Sequence, residues 1–116
     1  MYSYLSPFAI LNDEHEVIQL THAQVHAGVF DIFFQQTDKR HLKRDVINGK
    51  LISTIFLGCS IDGEWFETVI FVDSTLEQDL ARWKYKTYKE AIDGHEVAIE
   101  LVKIGALEHI RYGRKD

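Results

Sequence analysis

The chain alternates short apolar runs with polar, turn-forming stretches, and this pattern predicts strands near its N-terminus. Apolar residues predominate at 8–11 and 17–20, and the polar stretch Asn-Asp-Glu-His-Glu lies between them at 12–16. Two such runs separated by a short polar segment are typical of a β-hairpin. We therefore expect an N-terminal hairpin with a loop at its tip.

A helix is predicted directly after this hairpin. Thr21 and Gln24 have the spacing of a capping box, in which each residue's side chain accepts a hydrogen bond from the other's backbone. The residues that follow carry apolar side chains at helical spacing, which would form one stripe. These positions are Val25, Val29, Ile32 and Phe33, within a helix predicted over residues 22–35.

Two dipeptides that favour tight turns divide the centre of the chain into three strands. Asn-Gly at 48–49 and Asp-Gly at 62–63 are strong hairpin signals because these residues tolerate positive φ angles. The pattern predicts strands over 40–47, 50–61 and 64–73. Strands joined in this way form an antiparallel meander.

A fourth strand and a second helix complete the predicted elements. Residues 81–86 alternate apolar with basic side chains, as in an edge strand whose lysines discourage further pairing. Thr87 can cap a helix that runs to about residue 104 or 107, and Gly105 can end it. The apolar stripe of this helix includes one histidine. Its members are Tyr88, Ala91, Ile92, His95, Ile99 and Val102.

Together these elements predict an α+β fold in a single domain, residues 1–116. The domain consists of a four-stranded antiparallel meander sheet, two helices and an N-terminal β-hairpin. A chain of 116 residues can bury a core without disulfides or metals. Residues 111–116 are expected to form a flexible tail.

The two tight turns also predict which residues face each other across the sheet. The first places Asp45 beside Ile52, and the second places Gly58 opposite Glu67. Side chains alternate along a strand, so one face becomes an apolar core that a helix should cover. That face carries Leu42, Val46, Leu51, Ile55, Leu57, Cys59, Phe66, Ile70 and Val72. The other face is mixed and carries His41, Lys43, Asp45, Ile52, Thr54, Phe56, Trp65, Glu67, Val69 and Phe71.

Composition narrows the classes of function. The chain has 18 acidic and 13 basic residues and a net charge of -5, which argues against general nucleic-acid binding. Its one cysteine, Cys59, can form no intrachain disulfide and is expected to be a small buried residue in a strand. No apolar stretch has membrane-spanning length and no signal peptide is apparent, so we expect a cytoplasmic protein that does not contact a membrane.

Glu67 is the first candidate for chemistry because it interrupts an apolar strand. A carboxylate in a partly apolar concavity can bind a ribose or an amine, or act as an acid or base. The alternative is an ion pair with Lys43, Arg82 or Lys84 in the same sheet.

Histidines are the next candidates. A histidine in an apolar stripe, as at His95, is usually a packed core residue, and the alternative pairs it with Glu67 or with a ligand. His22 and His26 share a helix face, but no third metal ligand is evident, so neither a metal nor another cofactor is predicted.

Aromatic side chains supply a further possible contact. Trp65, Trp83 and Tyr85 can stack on a base, although aromatic residues in strands pack more often in a core or an interface. Combining these candidates gives a predicted ligand-binding set. Its residues are Thr54, Trp65, Glu67, Arg82 and His95.

Three segments, in this order, resemble a family of small proteins encoded by bacteriophages and prophages. The segments are ISTIFLG at 52–58, FETVIF at 66–71 and RWKYKTYKEAIDGH at 82–95. The family has Leu-Asp-His and a Gly/Pro-rich loop after the first segment, where this chain has Cys-Ser-Ile-Asp-Gly at 59–63. The resemblance implies a phage or prophage origin, the host cytoplasm and an accessory role, but no particular activity.

The leading hypothesis from the sequence is a non-enzymatic protein that works by binding, as a homo-oligomer and most simply a dimer. Its partner would be a host protein that it masks, or a nucleotide signal that it sequesters. The mixed sheet face is the expected contact surface. The alternative is a small enzyme in which Glu67 and His95 act as an acid/base pair on a nucleotide-like ligand.

Overall fold

The predicted α+β class is confirmed by a computed structural model, which describes residues 4–108. This part of the chain forms six strands and four helices. The strands are β1 (Leu5–Leu11), β2 (Val17–Thr21), β3 (His41–Ile47), β4 (Lys50–Phe56), β5 (Phe66–Phe71) and β6 (Asp79–Tyr85). The helices are α1 (His22–His26), α2 (Val29–Phe34), α3 (Thr37–Arg40) and α4 (Tyr88–Lys103). The tail predicted at 111–116 lies outside the described residues.

The N-terminal hairpin forms as predicted. β1 and β2 pair antiparallel in a sheet of their own, and the Asn12 side chain accepts hydrogen bonds from the backbone N–H groups of Glu14 and Glu16. The predicted capping box is also present. Gln24 N–H donates to Thr21 Oγ1 at 3.1 Å, and Thr21 N–H donates to Gln24 Oε1 at 2.8 Å.

The single helix predicted over residues 22–35 is wrong. Gly28 has a φ of +90° and separates α1 from α2, because this left-handed conformation cannot continue a helix. The break rotates α2 relative to α1, so the predicted apolar stripe does not exist. Phe33 is buried, whereas Ile32 is 65% exposed.

The four-stranded antiparallel meander is confirmed, with strand order β3-β4-β5-β6. Asn48 and Gly49 adopt positive φ angles of 51° and 81°, and this turn places Asp45 beside Ile52 as predicted. A register shift near the start of β3 then pairs His41 with Ile55, where an unbroken register would pair it with Phe56.

The second predicted turn, at 62–63, is wrong. β4 ends at Phe56, β5 begins at Phe66, and these two residues pair with each other. Gly58 has a φ of +80° and turns the chain away from β5, so that its carbonyl accepts a hydrogen bond from Ala9 N–H at 3.0 Å. One further hydrogen bond, from Leu57 N–H to the Trp65 carbonyl at 2.7 Å, closes the hairpin, and residues 57–65 form a loop that meets β1.

This loop changes the faces of the sheet. Glu67 lies opposite Ile55, three positions from the predicted partner Gly58, and Thr54 lies opposite Thr68. Since an odd shift moves every side chain of a strand to the other face, the predicted assignment of β5 relative to β4 is wrong.

The helix α4 covers the face of β4 that was predicted to be mixed, together with the face of β5 that was predicted to form the core. Thr87 and Glu90 form the N-terminal capping box of α4, and Gly105 follows its C-terminus with a φ of +75°. One apolar core lies between α4 and the sheet. Its buried members are Ile52, Ile70, Ala98, Ile99 and Val102. Val46 and Cys59, both assigned to the predicted core, are exposed.

A second core joins the N-terminal hairpin to one end of the sheet. Its buried members are Ala9, Leu11, Phe33, Phe56, Trp65, Phe66 and Ala91. The Phe56 ring packs edge-on against both Phe33 and Phe66, with ring centroids 5.7 and 5.4 Å away. Within residues 4–108, no helix has the length and apolar character needed to cross a membrane.

Candidate functional site

His95 lies at the centre of a chain of four polar side chains between α4 and the sheet. Its Nε2 atom is 2.7 Å from Asp45 Oδ2, and its Nδ1 atom is 2.7 Å from Thr54 Oγ1. Thr54 Oγ1 is in turn 2.5 Å from Thr68 Oγ1. His95 and both threonines are fully buried, whereas the Asp45 side chain is 41% exposed. The four residues connect α4 with β3, β4 and β5.

For a neutral imidazole, the chemistry of these groups gives the hydrogen bonds one direction. A carboxylate only accepts, so His95 Nε2 carries the proton and donates it to Asp45. In the neutral imidazole Nδ1 then accepts from Thr54, whose oxygen accepts from Thr68. Among the described residues, no buried side-chain polar atom lacks a hydrogen-bond partner. A buried network in which every hydrogen bond is formed makes a core more rigid, and here the network connects α4 to the sheet.

Asp45, His95 and Thr54 have the residue types of a catalytic triad but not its accessibility. A nucleophile must reach its substrate, and the Thr54 side chain is 0% exposed. Its hydroxyl is also engaged on both sides, by His95 and by Thr68. The arrangement therefore holds α4 on the sheet, and it keeps Thr54 and His95 away from the surface.

Glu67 belongs to a different cluster. It is 7% exposed, and its carboxylate accepts a hydrogen bond from Arg82 Nη1 at 3.1 Å. Arg82 Nε also donates to Asp79 Oδ2 at 3.1 Å. The hydrogen bond to Asp79, supported by the charge of Glu67, raises the pKa of Arg82 above its ordinary value. The predicted ion pair of Glu67 with a basic neighbour is thus present, and the neighbour is Arg82.

Glu67 and His95 do not meet. Thr68 is paired with Thr54 on the face that holds His95, and Glu67 is the next residue along β5. Adjacent residues of a strand point to opposite faces, so the sheet lies between Glu67 and His95. The predicted acid/base pair is therefore not formed.

The predicted ligand-binding set is divided among three places. Thr54 lies with His95 under α4, and Glu67 lies with Arg82 on the other face of the sheet. Trp65 is 8% exposed and packs in the core that joins the hairpin to the sheet. These five residues therefore do not line one site.

An apolar groove of about 220 Å³ lies between β6 and α4, and we refer to it as the β6–α4 groove. Its lining residues are Trp83, Tyr85, Gly94, Val97 and Ala98. The side chains of Trp83 and Val97 remain 36% and 58% exposed. Small-molecule sites usually have about 300–1,000 Å³, so this groove suits one or two apolar side chains better than a cofactor.

Gly94 shapes this groove. A methyl group at position 94 would overlap the ring of Tyr85, which lies against the helix backbone at this point. The absence of a side chain at Gly94 therefore allows the Tyr85 ring of β6 to pack directly against the backbone of α4. The groove lies directly beside this contact.

A second concavity, also of about 220 Å³, is polar. It lies where the loop of the N-terminal hairpin meets α3 and the start of α4, and the His15 ring stacks on Tyr88 with centroids 4.0 Å apart. Its other lining residues are Leu11, Asn12, Asp13, Asp38, Lys39, His41 and Leu42. Carboxylates and a lysine are mixed here, which selects for no single ligand charge. Within residues 4–108, no group of three or more His, Cys, Asp or Glu could hold a metal ion.

Sequence reasoning missed the residues that complete these arrangements. Asp45 was correctly assigned to the same face of the sheet as Thr54. A helix that packs on this face can bring a histidine close to both residues, and this was the available signal for the contact between Asp45 and His95. Thr68 was assigned to neither face, and the mistaken turn at 62–63 paired Thr54 with Phe71 instead of Thr68. Gly94 and Val97 carry no signal in the sequence, since their role depends on how Tyr85 packs on α4.

Comparison with known proteins adds no further information. No model of a known protein family matches the chain, and no curated protein or solved structure is significantly similar to it.

Proposed function

We propose that the protein works by binding a partner protein at the β6–α4 groove and does not act as an enzyme. One contrast carries this proposal. The groove is apolar and exposed, whereas the candidate catalytic groups His95 and Glu67 are occupied by internal contacts. An exposed concave apolar surface is the usual place for an anchoring side chain of a partner.

The lining of the groove favours a protein over a nucleotide. Phosphate groups are bound by arginine, lysine or clustered backbone N–H groups, and none of the five side chains that line the groove is basic. The volume of about 220 Å³ also fits an amino-acid side chain. Of the two partners expected from the sequence, the host protein is therefore the one that we propose.

The resemblance to bacteriophage and prophage proteins supplies the biological setting of this proposal. We propose an accessory protein that acts in the host cytoplasm and masks a host protein. Such a role needs binding and no catalysis, which agrees with the internal use of His95 and Glu67.

Self-association is a separate part of the proposal. The part of the predicted dimer face that lies on β4 is covered by α4 along Ile52 and Thr54, so we propose another surface for the dimer. Val29 and Ile32 lie one turn apart on α2 and are 36% and 65% exposed. We propose that two copies of the chain meet there, because these two exposed apolar side chains can pack against their own symmetry mates.

Two matched substitutions test binding at the groove. Val97 and Val46 are 58% and 59% exposed, but Val97 lines the groove and Val46 lies on the opposite edge strand. Affinity-tagged wild type, Val97→Glu and Val46→Glu are purified from the same host cells and measured by native mass spectrometry. We expect a stoichiometric protein partner with wild type and Val46→Glu, and its loss with Val97→Glu.

Two results would contradict this proposal. In one, Val97→Glu and Val46→Glu retain the same partner equally well. In the other, the bound species in all three samples is a small molecule.

A further inference from the structure

The outer edge of β6 lies beside the groove and pairs with none of the strands in the described part of the chain. β6 is the last strand of the sheet, so within residues 4–108 only one of its two edges, the one toward β5, has a strand partner. Alternate residues of an edge strand direct their N–H and C=O groups outward, where another strand can pair with them. The edge and the groove together form one continuous surface.

The two faces of β6 differ in chemistry. Trp83 and Tyr85 pair with Thr68 and Phe66 on the face that α4 covers, and they line the groove. Lys84 pairs with Glu67 on the opposite face and is exposed. β6 therefore presents apolar side chains on one face and basic ones on the other.

We propose that β6 receives an extended segment of the partner protein as a fifth strand, in which apolar residues alternate with acidic residues. This inference rests on the proposed function and names its ligand. Side chains of an added strand on the α4 face meet Trp83 and the groove, which selects apolar residues. Those on the other face lie beside Lys84, which selects acidic residues.

The basic residues of β6 differ in their capacity to bind acidic side chains of an added strand. Arg82 is already bound to Glu67 and Asp79, so it has fewer donors left for an acidic side chain of a partner. Lys84 and the next basic residue, Lys86, are exposed. Lysines on an edge strand normally prevent pairing, and here they exclude neutral and basic segments while they admit acidic ones.

A second copy of the chain does not satisfy this pattern. If two β6 edges pair antiparallel about a two-fold axis at Trp83, Arg82 of one copy lies opposite Lys84 of the other. An axis at Arg82 places two arginines opposite each other. Like charges directly opposite are destabilising, so these two registers disfavour a second β6 and favour an acidic segment of another protein.

A designed peptide tests the proposal. It has nine residues, with glutamate at the odd positions and valine or phenylalanine at the even ones, and a fluorescent label for anisotropy. We expect it to bind the full chain and to shift the NMR signals of the β6 amides and the Trp83 indole. The same peptide with lysine in place of glutamate should not bind.

Charge reversal identifies the edge that is used. Lys84→Glu should weaken binding about tenfold, since one favourable cross-strand pair becomes a repulsive one. Arg44→Glu is the matched control, because Arg44 is exposed on the other edge strand and lies on the same face of the sheet as Lys84. It should change the affinity less than twofold. If Lys84→Glu does not fold, Lys86→Glu replaces it, with weaker binding expected for the same reason.

Three results would overturn the proposal: no binding of the peptide at millimolar concentration, equal loss of affinity in Lys84→Glu and Arg44→Glu, or NMR shifts on β3. Full binding by a peptide with alternate backbone nitrogens methylated would overturn it as well, because such a peptide cannot pair as a strand. If the peptide fails while Val97→Glu still releases the natural partner, this inference falls and the proposed function stands. If Val97→Glu retains the partner, the proposed function itself falls.

Discussion

At the scale of single residues, the polar chain from Thr68 through Thr54 and His95 to Asp45 is the most unusual feature of the molecule. Three of its members are fully buried, and the side-chain polar atoms of these three have hydrogen-bond partners. A buried network of this kind is stable only as long as each donor and acceptor remains paired. Its members should therefore be unequal in their effect on stability.

Thr54→Val and Thr68→Val provide a matched pair of substitutions within this network. Thr54→Val keeps the shape but leaves buried His95 Nδ1 without a donor, which should cost about 1–3 kcal/mol of unfolding free energy. In Thr68→Val, the Thr54 hydroxyl loses one donor but can still donate to His95. The expected loss of unfolding free energy is therefore smaller, about 0.5–1.5 kcal/mol. Urea denaturation measures both. A larger loss for Thr68→Val would contradict the assigned direction of the hydrogen bonds.

Gly94 is the second residue with a specific role. Replacing a helical glycine with alanine normally stabilises a helix by about 1 kcal/mol. At this position the new methyl group overlaps the Tyr85 ring, so Gly94→Ala should instead destabilise the protein by about 1–2 kcal/mol. Thermal unfolding with the Tyr85→Ala background as control measures this effect. In that background Gly94→Ala should be neutral or stabilising, and an equal cost in both backgrounds would refute the contact.

At the scale of elements, the parts that depend on neighbouring residues were predictable. The capping boxes of α1 and α4 and the Asn-Gly turn at 48–49 are formed by residues within a few positions of each other. The apolar stripe of α4 was also predictable from the spacing of its residues. Four of its predicted members, Ala91, His95, Ile99 and Val102, are buried. These local rules gave the class of the fold and the order of most of its elements.

Elements that depend on distant contacts were not predictable. The Asp-Gly pair at 62–63 satisfies every local rule for a hairpin turn, yet Gly58 leaves the hairpin to accept a hydrogen bond from Ala9 N–H. The ring of Phe30 also lies about 3.0 Å from the place where a Gly58 side chain would begin. No pattern within 57–65 reports these partners. The same mistaken turn placed Glu67 on the face of the sheet that carries Thr54, and for this reason the predicted site does not form.

The loop at 57–65 gives a prediction about pH. The N–H of Glu64 and then the hydroxyl of Ser60 donate to the Asp62 carboxylate, and they lower its pKa below the ordinary 3.8. Because the pKa in the folded state is lowered, these hydrogen bonds are fully present above pH 3.8 and weaken as the pH falls through the lowered value.

An NMR titration of the Asp62 carboxyl carbon and the Glu64 amide measures this effect. Both signals should share a midpoint below 3.8. In Asp62→Asn, which keeps the acceptor oxygen but cannot titrate, the Glu64 amide should lose that transition. A midpoint at or above 3.8 in the wild type would refute the turn geometry.

At the scale of the whole molecule, the chain presents two surfaces with different expected partners. The exposed apolar side chains of α2 include Val29 and Ile32, whereas the edge of β6 combines an apolar groove with exposed lysines. The first suits a copy of the same chain, and the second suits an acidic segment of another protein. A dimer through α2 would leave both β6 edges open.

Self-association can be measured by light scattering at micromolar concentration. We expect the mass of a dimer for the wild type, and the mass of a monomer for Ile32→Glu, because the charge would be buried at the centre of the interface. Val46→Glu, with a valine of similar exposure on β3, should remain dimeric. A monomeric wild type would refute self-association through α2 and would not affect the proposal for the groove.

Photo-crosslinking in cells bears most directly on the proposal that the protein acts by binding a partner at the groove. A benzophenone amino acid replaces Val97 in the groove or, as the control, Val46, which has the same exposure on the opposite edge strand. We predict one protein adduct of defined mass from position 97, none from position 46, and loss of the adduct when the alternating acidic peptide competes. No adduct from position 97, or the same adducts from both positions, would contradict binding at the groove.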